Sequence, residues 1–282
     1  MIEVVKPGFY STIQDLGRIA YHDYGVPYSG AMDEQSAKIA NALLGNNENN
    51  AVLEITMTGP TLKFIKTTAI CITGADLSPK LNGNAVSLNK RYTIKPDDIL
   101  SFGKLNYGFR AYLGVCGGFQ TEKVMGSRSM YKNVTEQFIT QKGELLPIKD
   151  LNTNAATSNA SIKIDKTHFN TKSLPVYKGP EFDNLSKTQQ KQLLNKTFTV
   201  SKDNNRMAYQ LEDAIENNLK PIITSLVQPG TVQLPPSGKL IVLMSDGQTA
   251  GGYPRVLQLS DSARYSLAQK KTGDTFTFNM SE

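Results

Sequence analysis

No stretch of this chain stays apolar for long. The longest uninterrupted apolar run, Leu240 to Met244, is five residues. Instead, β-branched and aromatic residues gather in short segments. Ile2–Val5, Val52–Thr56, Leu62–Ile65, Ala69–Thr73, Ile99–Phe102 and Phe109–Val115 are followed by Phe198–Val200, Ile222–Ser225, Leu240–Met244 and Thr275–Phe278. Turn-forming pairs punctuate them: Gly59-Pro60, Asn82-Gly83, Pro96-Asp97, Gly179-Pro180, Pro235-Pro236 and Asp246-Gly247. Many short strands with frequent turns predict a mainly β chain built as a barrel or sandwich. A bilayer-crossing helix needs about 20 apolar residues in succession, so no transmembrane segment is expected.

Three helices are predicted within this pattern. Over Asp33–Leu44, Ala37, Ala40, Leu43 and Leu44 recur at three- and four-residue spacing and build one apolar face. Asp33 suits the N-cap and Gly45 the C-terminal stop. Weaker patterns mark Lys187–Leu194 and Asp261–Ala268. A length of 282 residues suggests two domains. The polar, nearly uncharged stretch Asp150–Ser161 (DLNTNAATSNAS) reads as the linker. An N-terminal lobe over 1–165 and a C-terminal lobe over 166–282 follow.

Composition excludes several function classes. The two cysteines, Cys71 and Cys116, form no CxxC pair, and His22 and His168 are the only histidines. A Cys/His zinc site needs more clustered ligands, so no metal is expected. The net charge of +6 is scattered rather than gathered in a basic stripe, so no nucleic-acid partner is expected. The start MIEVVKPGFY lacks a signal-peptide pattern, and a cytoplasmic location is expected, where thiols stay reduced. Cys71 and Cys116 read as small buried residues and His22 as a loop histidine. No phosphate loop, dinucleotide fingerprint, HExxH or GxSxG occurs, nor a lysine between two methionines for biotin attachment.

Three segments concentrate chemistry. Residues 14–33 (QDLGRIAYHDYGVPYSGAMD) feed a glycine-rich loop into a helix start, a pattern that makes an anion site from backbone N–H groups. Ser29, Gly30 and Ala31 would offer those groups, and Arg18 a bidentate contact. Residues 204–213 (NNRMAYQLED) interleave Arg206 and Tyr209 with apolar residues, and strand and helix start are both open there. Residues 241–256 (IVLMSDGQTAGGYPRV) run a strand into a loop that carries Asp246, Gln248, Thr249, Tyr253 and Arg255 among three glycines. Amide, hydroxyl and carboxylate groups at a strand end suit recognition of a small planar ligand.

Together QDLGR…GVPYSGAMD, LEITMTGPTLKF, TGADL, YLGVCGGF, RMAYQLE and LMSDGQTAGGYPRV resemble, in order, the Kip-antagonist-like family. It is also called the C component of 5-oxoprolinase, allophanate hydrolase subunit 2 or the biotin-dependent carboxyltransferase-like domain. The resemblance implies a cyclophilin-like β-barrel architecture in two barrel-like subdomains with a few short helices. It implies one component of an ATP-dependent 5-oxoprolinase. Its partners would be a Kip-inhibitor-like B component and an A component of the same enzyme. Its substrate would be a small amide or lactam, and ATP would be shared with or bound by the complex. Asp246, Gln248 and Thr249 are the candidate catalytic residues. Arg18, Ser29, Gly30, Arg206, Tyr209, Tyr253 and Arg255 are the candidate substrate-binding residues. Two alternatives are carboxyl transfer to a urea-like amide with a biotin carrier in trans, and a non-catalytic regulatory partner. Ala250 stands where the family often has Thr, which leaves Thr249 as the hydroxyl of that loop.

Overall fold

The computed structural model describes residues 1–149 and 166–281. The stretch 150–161, read as a linker, lies outside them. The chain divides into two compact units. The first comprises Met1–Arg18 and Ser29–Lys166, the second Ile19–Tyr28 and Thr167–Glu282. Ten residues of the N-terminal segment therefore pack with the C-terminal unit, an exchange that the single boundary read from sequence does not contain.

In the first unit the elements run β1 (Ile2–Lys6), β2 (Tyr10–Gln14), α1 (Glu34–Leu44), β3 (Val52–Thr56), β4 (Thr61–Phe64), β5 (Thr68–Asp76), β6 (Lys80–Leu81), β7 (Asn84–Ala85), β8 (Arg91–Ile94), β9 (Ile99–Ser101), β10 (Tyr107–Val115) and β11 (Leu145–Leu146). They form a six-stranded sheet, β11-β1-β4-β9-β6-β7, and a five-stranded sheet, β2-β3-β10-β5-β8. Ile2, Val4, Leu62, Phe64 and Leu100 of one sheet share a buried cluster with Ile13, Leu53, Ile55, Ile72 and Leu113 of the other. Each such side chain contributes about 1.5–3 kcal/mol by leaving water, so this inter-sheet layer is the core. At Asn82-Gly83 both residues have positive φ (50° and 82°), the type I′ geometry that closes the two-residue hairpin of β6 and β7.

Helix α1 covers the outer face of the five-stranded sheet. The side chain of Asp33 accepts from the Ser36 backbone N–H, and Gly45 ends the helix in the left-handed region. Leu43 and Leu44 pack on Ala69 and Cys71. Burial pushes the Cys71 thiol up to about 12, while Cys116 is partly accessible. A thiol reagent at neutral pH is therefore expected to titrate Cys116 in the native protein and Cys71 only after denaturation. Two equivalents reacting at one rate would contradict this packing.

The second unit contains α2 (Thr167–Asn170), β12 (Ser173–Lys178), α3 (Lys187–Asn195), β13 (Phe198–Asn204), β14 (Ala208–Ala214), β15 (Ser225–Leu226), β16 (Thr231–Gln233), β17 (Lys239–Leu243), β18 (Ala250–Gly251), β19 (Arg255–Leu259), α4 (Asp261–Ala268) and β20 (Thr275–Met280). Seven strands close a barrel in the order β12-β19-β16-β17-β14-β13-β20, and a parallel β12–β20 pair seals it. Phe198, Phe276 and Phe278 fill its interior, with ring centroids 5.3–6.5 Å apart. The closed barrel thus belongs to the second unit, whereas the first is a pair of facing sheets. The open choice at residues 204–213 resolves as strand. The segment Ile222–Ser225 is mostly not a strand: Ile223 is 92% exposed, and only Ser225–Leu226 pairs, with β18. Among the described residues no helix is long and apolar enough to cross a membrane.

Candidate functional site

The two signature blocks of the C-terminal half meet because they are neighbouring strands. Ala208 of β14 pairs with Leu243 of β17, so Arg206 and Asp246 lie together just beyond the strand ends. The Arg206 guanidinium grips the Asp246 carboxylate with two bonds, Nε to Oδ2 at 2.8 Å and Nη2 to Oδ1 at 3.1 Å. The Asp246 backbone N–H donates to the Arg206 carbonyl at 2.9 Å. Both side chains are buried. Their charges are engaged with each other, which gives the pair a clear role in holding the loop.

Tyr209 is fully buried in the barrel, and its hydroxyl donates to the Lys270 carbonyl at 3.2 Å. Beyond Asp246 the loop leads into β18, which pairs with β15. The Thr249 carbonyl accepts from Val227 N–H at 3.1 Å. Gly251 lies so close to two amides that a Cβ there would meet Gln233 Nε2 at 2.4 Å and Gln248 Nε2 at 2.7 Å. Gln248 and Thr249 are half-buried and Tyr253 is exposed.

Arg255 is held by a second carboxylate. Its Nη2 and Nε donate to Glu181 at 2.8 and 3.0 Å, its backbone N–H donates to the same carboxylate at 2.8 Å, and Nη1 donates to the Leu226 carbonyl at 3.0 Å. This side-chain hydrogen bond from Arg255 holds the Glu181 carboxyl below the usual carboxylate range. A depressed folded-state pKa stabilises the protein at neutral pH, and that contribution is lost as pH falls through the folded value. The stability gap between wild type and Glu181→Gln is therefore expected to be widest near neutrality and to shrink in acid. Urea denaturation midpoints at a series of pH values check it, and a gap that does not change with pH would count against the pairing.

Around Arg255 the second unit opens a cleft of about 500 Å³. One wall is the Ile19–Tyr28 segment, through Ala20, His22, Asp23 and Tyr28. The other is barrel strand, including Thr231, Leu257 and Gln258, with Lys178 at the end of β12 and Gly179 and Pro180 just after it. The His22 and Tyr28 rings stack 4.7 Å apart. Gly179 is needed here, because a Cβ would sit 2.1 Å from the Arg255 carbonyl. Of the candidate site residues only Arg255 lines this cleft. The sequence alone does not mark His22, Tyr28, Lys178, Thr231 or Gln258 as ligand contacts. Tyr28 stands in the GVPYSGAMD block, which was the available clue.

Arg18, Ser29 and Gly30 lie in the first unit, all buried. Arg18 Nη2 donates to the Ser129 carbonyl. The Asp15 carboxylate organises this corner, accepting from Ser127 Oγ (2.6 Å), Ser129 Oγ (2.7 Å), Arg128 N–H (2.7 Å) and Gly17 N–H (2.9 Å). The backbone amides that lead into α1 are largely engaged. Ala31 N–H donates to the Asp15 carbonyl at 2.9 Å, Met32 N–H to Glu54 Oε2 at 2.7 Å, and Asp33 N–H to the Tyr112 hydroxyl at 2.8 Å. Of the three amides read from the sequence as an anion site, that of Ala31 is thus taken up by the Asp15 carbonyl. Burial raises the Tyr112 hydroxyl well above its ordinary value.

A family model described as "Carboxyltransferase domain, subdomain A and B" matches residues 24–280. The chain is 32% identical over 284 aligned positions to the C component of 5-oxoprolinase from Escherichia coli, a match that covers 99% of this chain and 90% of that protein. It is 41% identical over 131 positions to urea amidolyase of Saccharomyces cerevisiae, covering 46% of this chain and 7% of that protein. The crystal structure of the K. lactis urea amidolyase superposes with a TM-score of 0.86 at 26% identity, over 98% of this chain and 18% of the other. With the family match spanning both units and the E. coli relative matching nearly end to end, the chain belongs to the carboxyltransferase-domain family of subdomains A and B.

Proposed function

We propose that this chain is the C component of an ATP-dependent 5-oxoprolinase, a cytoplasmic complex that opens the lactam ring of 5-oxoproline to give glutamate. The observation that carries the reading is length. The chain matches the E. coli 5-oxoprolinase component along 90% of that protein, but only 7% of the yeast urea amidolyase. Opening a lactam needs its amide activated: transfer of the terminal phosphoryl group of ATP to the lactam oxygen releases ADP and makes the ring carbon open to water, whose attack breaks the ring C–N bond and releases phosphate. A B component of the Kip-inhibitor-like kind and an A component would complete the site. In this chain Arg206 and Arg255 each carry a carboxylate partner. They therefore order the loops that face the ligand, while the charge that neutralises a phosphoryl group comes from other groups of the complex. Gln248 and Thr249 are the half-buried amide and hydroxyl available to the lactam edge.

The second reading, carboxyl transfer to a urea-like amide, draws on the 41% identity to the yeast amidolyase over part of the chain. It needs a biotin carrier on another protein. Purified chain mixed with its A and B partners, ATP and 5-oxoproline is expected to release glutamate, and omission of this chain is expected to abolish release. No glutamate from the full mixture, together with carboxylated product from urea, bicarbonate and a biotinylated carrier, would overturn the first reading for the second.

A further inference from the structure

The cleft of the second unit has a chemistry of its own. Three ionised side chains stand on its wall: Asp23, Lys178 and Arg255. Arg255 is doubly bonded to Glu181, and Lys178 Nζ sits 3.0 Å from Asp183. Both cations therefore have a carboxylate, and Asp23 adds a further negative charge. A polyphosphate is best gripped by several converging lysines and arginines, and this wall offers only Arg255, largely buried against Glu181, and Lys178, exposed beside Asp183. What it does supply is a flat aromatic surface. The His22 and Tyr28 rings are stacked at 4.7 Å with an interplanar angle of 23°. Pro180, Leu226, Val227 and Leu257 add apolar lining, with Gln228 and Thr231 among the polar groups. A volume of about 500 Å³ is far more than a five-membered lactam occupies and lies within the range of about 300–1,000 Å³ typical of sites for larger ligands.

We propose that this cleft binds the nucleoside end of a nucleotide: the heteroaromatic base lies against the His22–Tyr28 stack, and the phosphates extend beyond the cleft. The assignment rests on the ATP dependence proposed above and deepens it. This chain holds the base, and the charged end of the nucleotide is held by other groups. Stacking of a base on an aromatic side chain is tolerant of substituents and insensitive to salt compared with phosphate contacts.

The test uses the purified full-length chain without partners and the neutral nucleoside adenosine beside ATP, with binding read by saturation-transfer NMR and titration. Adenosine and ATP are expected to bind with affinities within about threefold of each other, at both low and high salt. Tyr28→Ala is expected to weaken adenosine binding about tenfold. His22→Ala, at a partly accessible position, gives the same direction should Tyr28→Ala fail to fold, and an unchanged thermal midpoint shows the barrel intact. Failure of adenosine to bind, binding that Tyr28→Ala and His22→Ala leave unchanged, or ATP binding more than tenfold tighter than adenosine and collapsing with salt would each overturn the proposal. The reconstitution assay separates the two readings. Glutamate release without adenosine binding rejects the cleft and keeps the enzyme. Adenosine binding without glutamate release keeps the cleft and rejects the enzyme.

Discussion

Arg206→Met alone is expected to destabilise the protein by about 3–5 kcal/mol, because it leaves the Asp246 carboxylate buried without its cation. Arg206 and Asp246 side chains are 5% and 9% exposed, and their Nε–Oδ2 distance is 2.8 Å. The double variant Arg206→Met, Asp246→Leu is expected to recover most of that loss, since an apolar pair of similar volume removes the desolvation cost of both charges. Urea denaturation of both single variants and the double variant measures the coupling. A double variant as unstable as the sum of the singles would contradict the pairing. The same proteins decide what Asp246 does. Where its role is to hold Arg206, the refolded double variant keeps its share of complex activity. Where the carboxylate acts on the substrate as the catalytic assignment has it, activity is lost at unchanged stability.

Glu54→Ala is expected to have an effect of similar size in the first unit, about 3–5 kcal/mol, for the same reason. The Glu54 side chain is fully buried, with Oε1 3.8 Å from Arg110 Nε. Its Oε2 accepts from the Met32 backbone N–H at 2.7 Å and from the Tyr112 hydroxyl at 2.9 Å. One carboxylate therefore serves a buried cation and the backbone that leads into α1. Tyr112→Phe removes only the hydroxyl, and with it the acceptor of Asp33 N–H, at a cost of about 1–3 kcal/mol. The two substitutions are expected to be less than additive, because they remove parts of one network. Hydrogen exchange at Met32 and Asp33 should quicken in both variants. Native exchange rates at those amides in Glu54→Ala would show that the bend is held by something else.

The local rules read well where one element decides its own structure. Asp33, Gly45 and the apolar spacing of Ala37, Ala40, Leu43 and Leu44 predicted α1, and the helix spans Glu34–Leu44 with those caps. The pattern at Asp261–Ala268 matched α4. Strands with a run of apolar residues are also legible: Val52–Thr56 matches β3, and Phe109–Val115 falls within β10, which starts two residues earlier at Tyr107. The strands that escaped are polar or broken in pattern. Tyr10–Gln14 reads YSTIQ, and Arg255–Leu259 begins with the charged residue that meets Glu181. Their alternation is disturbed because one face carries polar groups used by distant partners. Ile222–Ser225 erred in the opposite direction. Its apolar composition suggested a strand, but the ribbon lies beside the barrel, where Ile223 stays exposed.

The amino-acid order by itself determined the mainly β class, the capped helix, the turns and the blocks that mark the family, since each depends on backbone preferences or side chains within a few residues. Only the tertiary structure decided partners. A sequence announces that Arg206 is a cation with a forked donor set, but not that the carboxylate it grips lies 40 positions away, or that Arg255 is taken by Glu181, 74 positions back. Strand register makes those choices, because it is fixed by burial of the whole sheet and brings side chains together regardless of their separation along the chain. The cleft is of the same kind: its aromatic wall comes from Ile19–Tyr28 and its other wall from strands more than a hundred residues later.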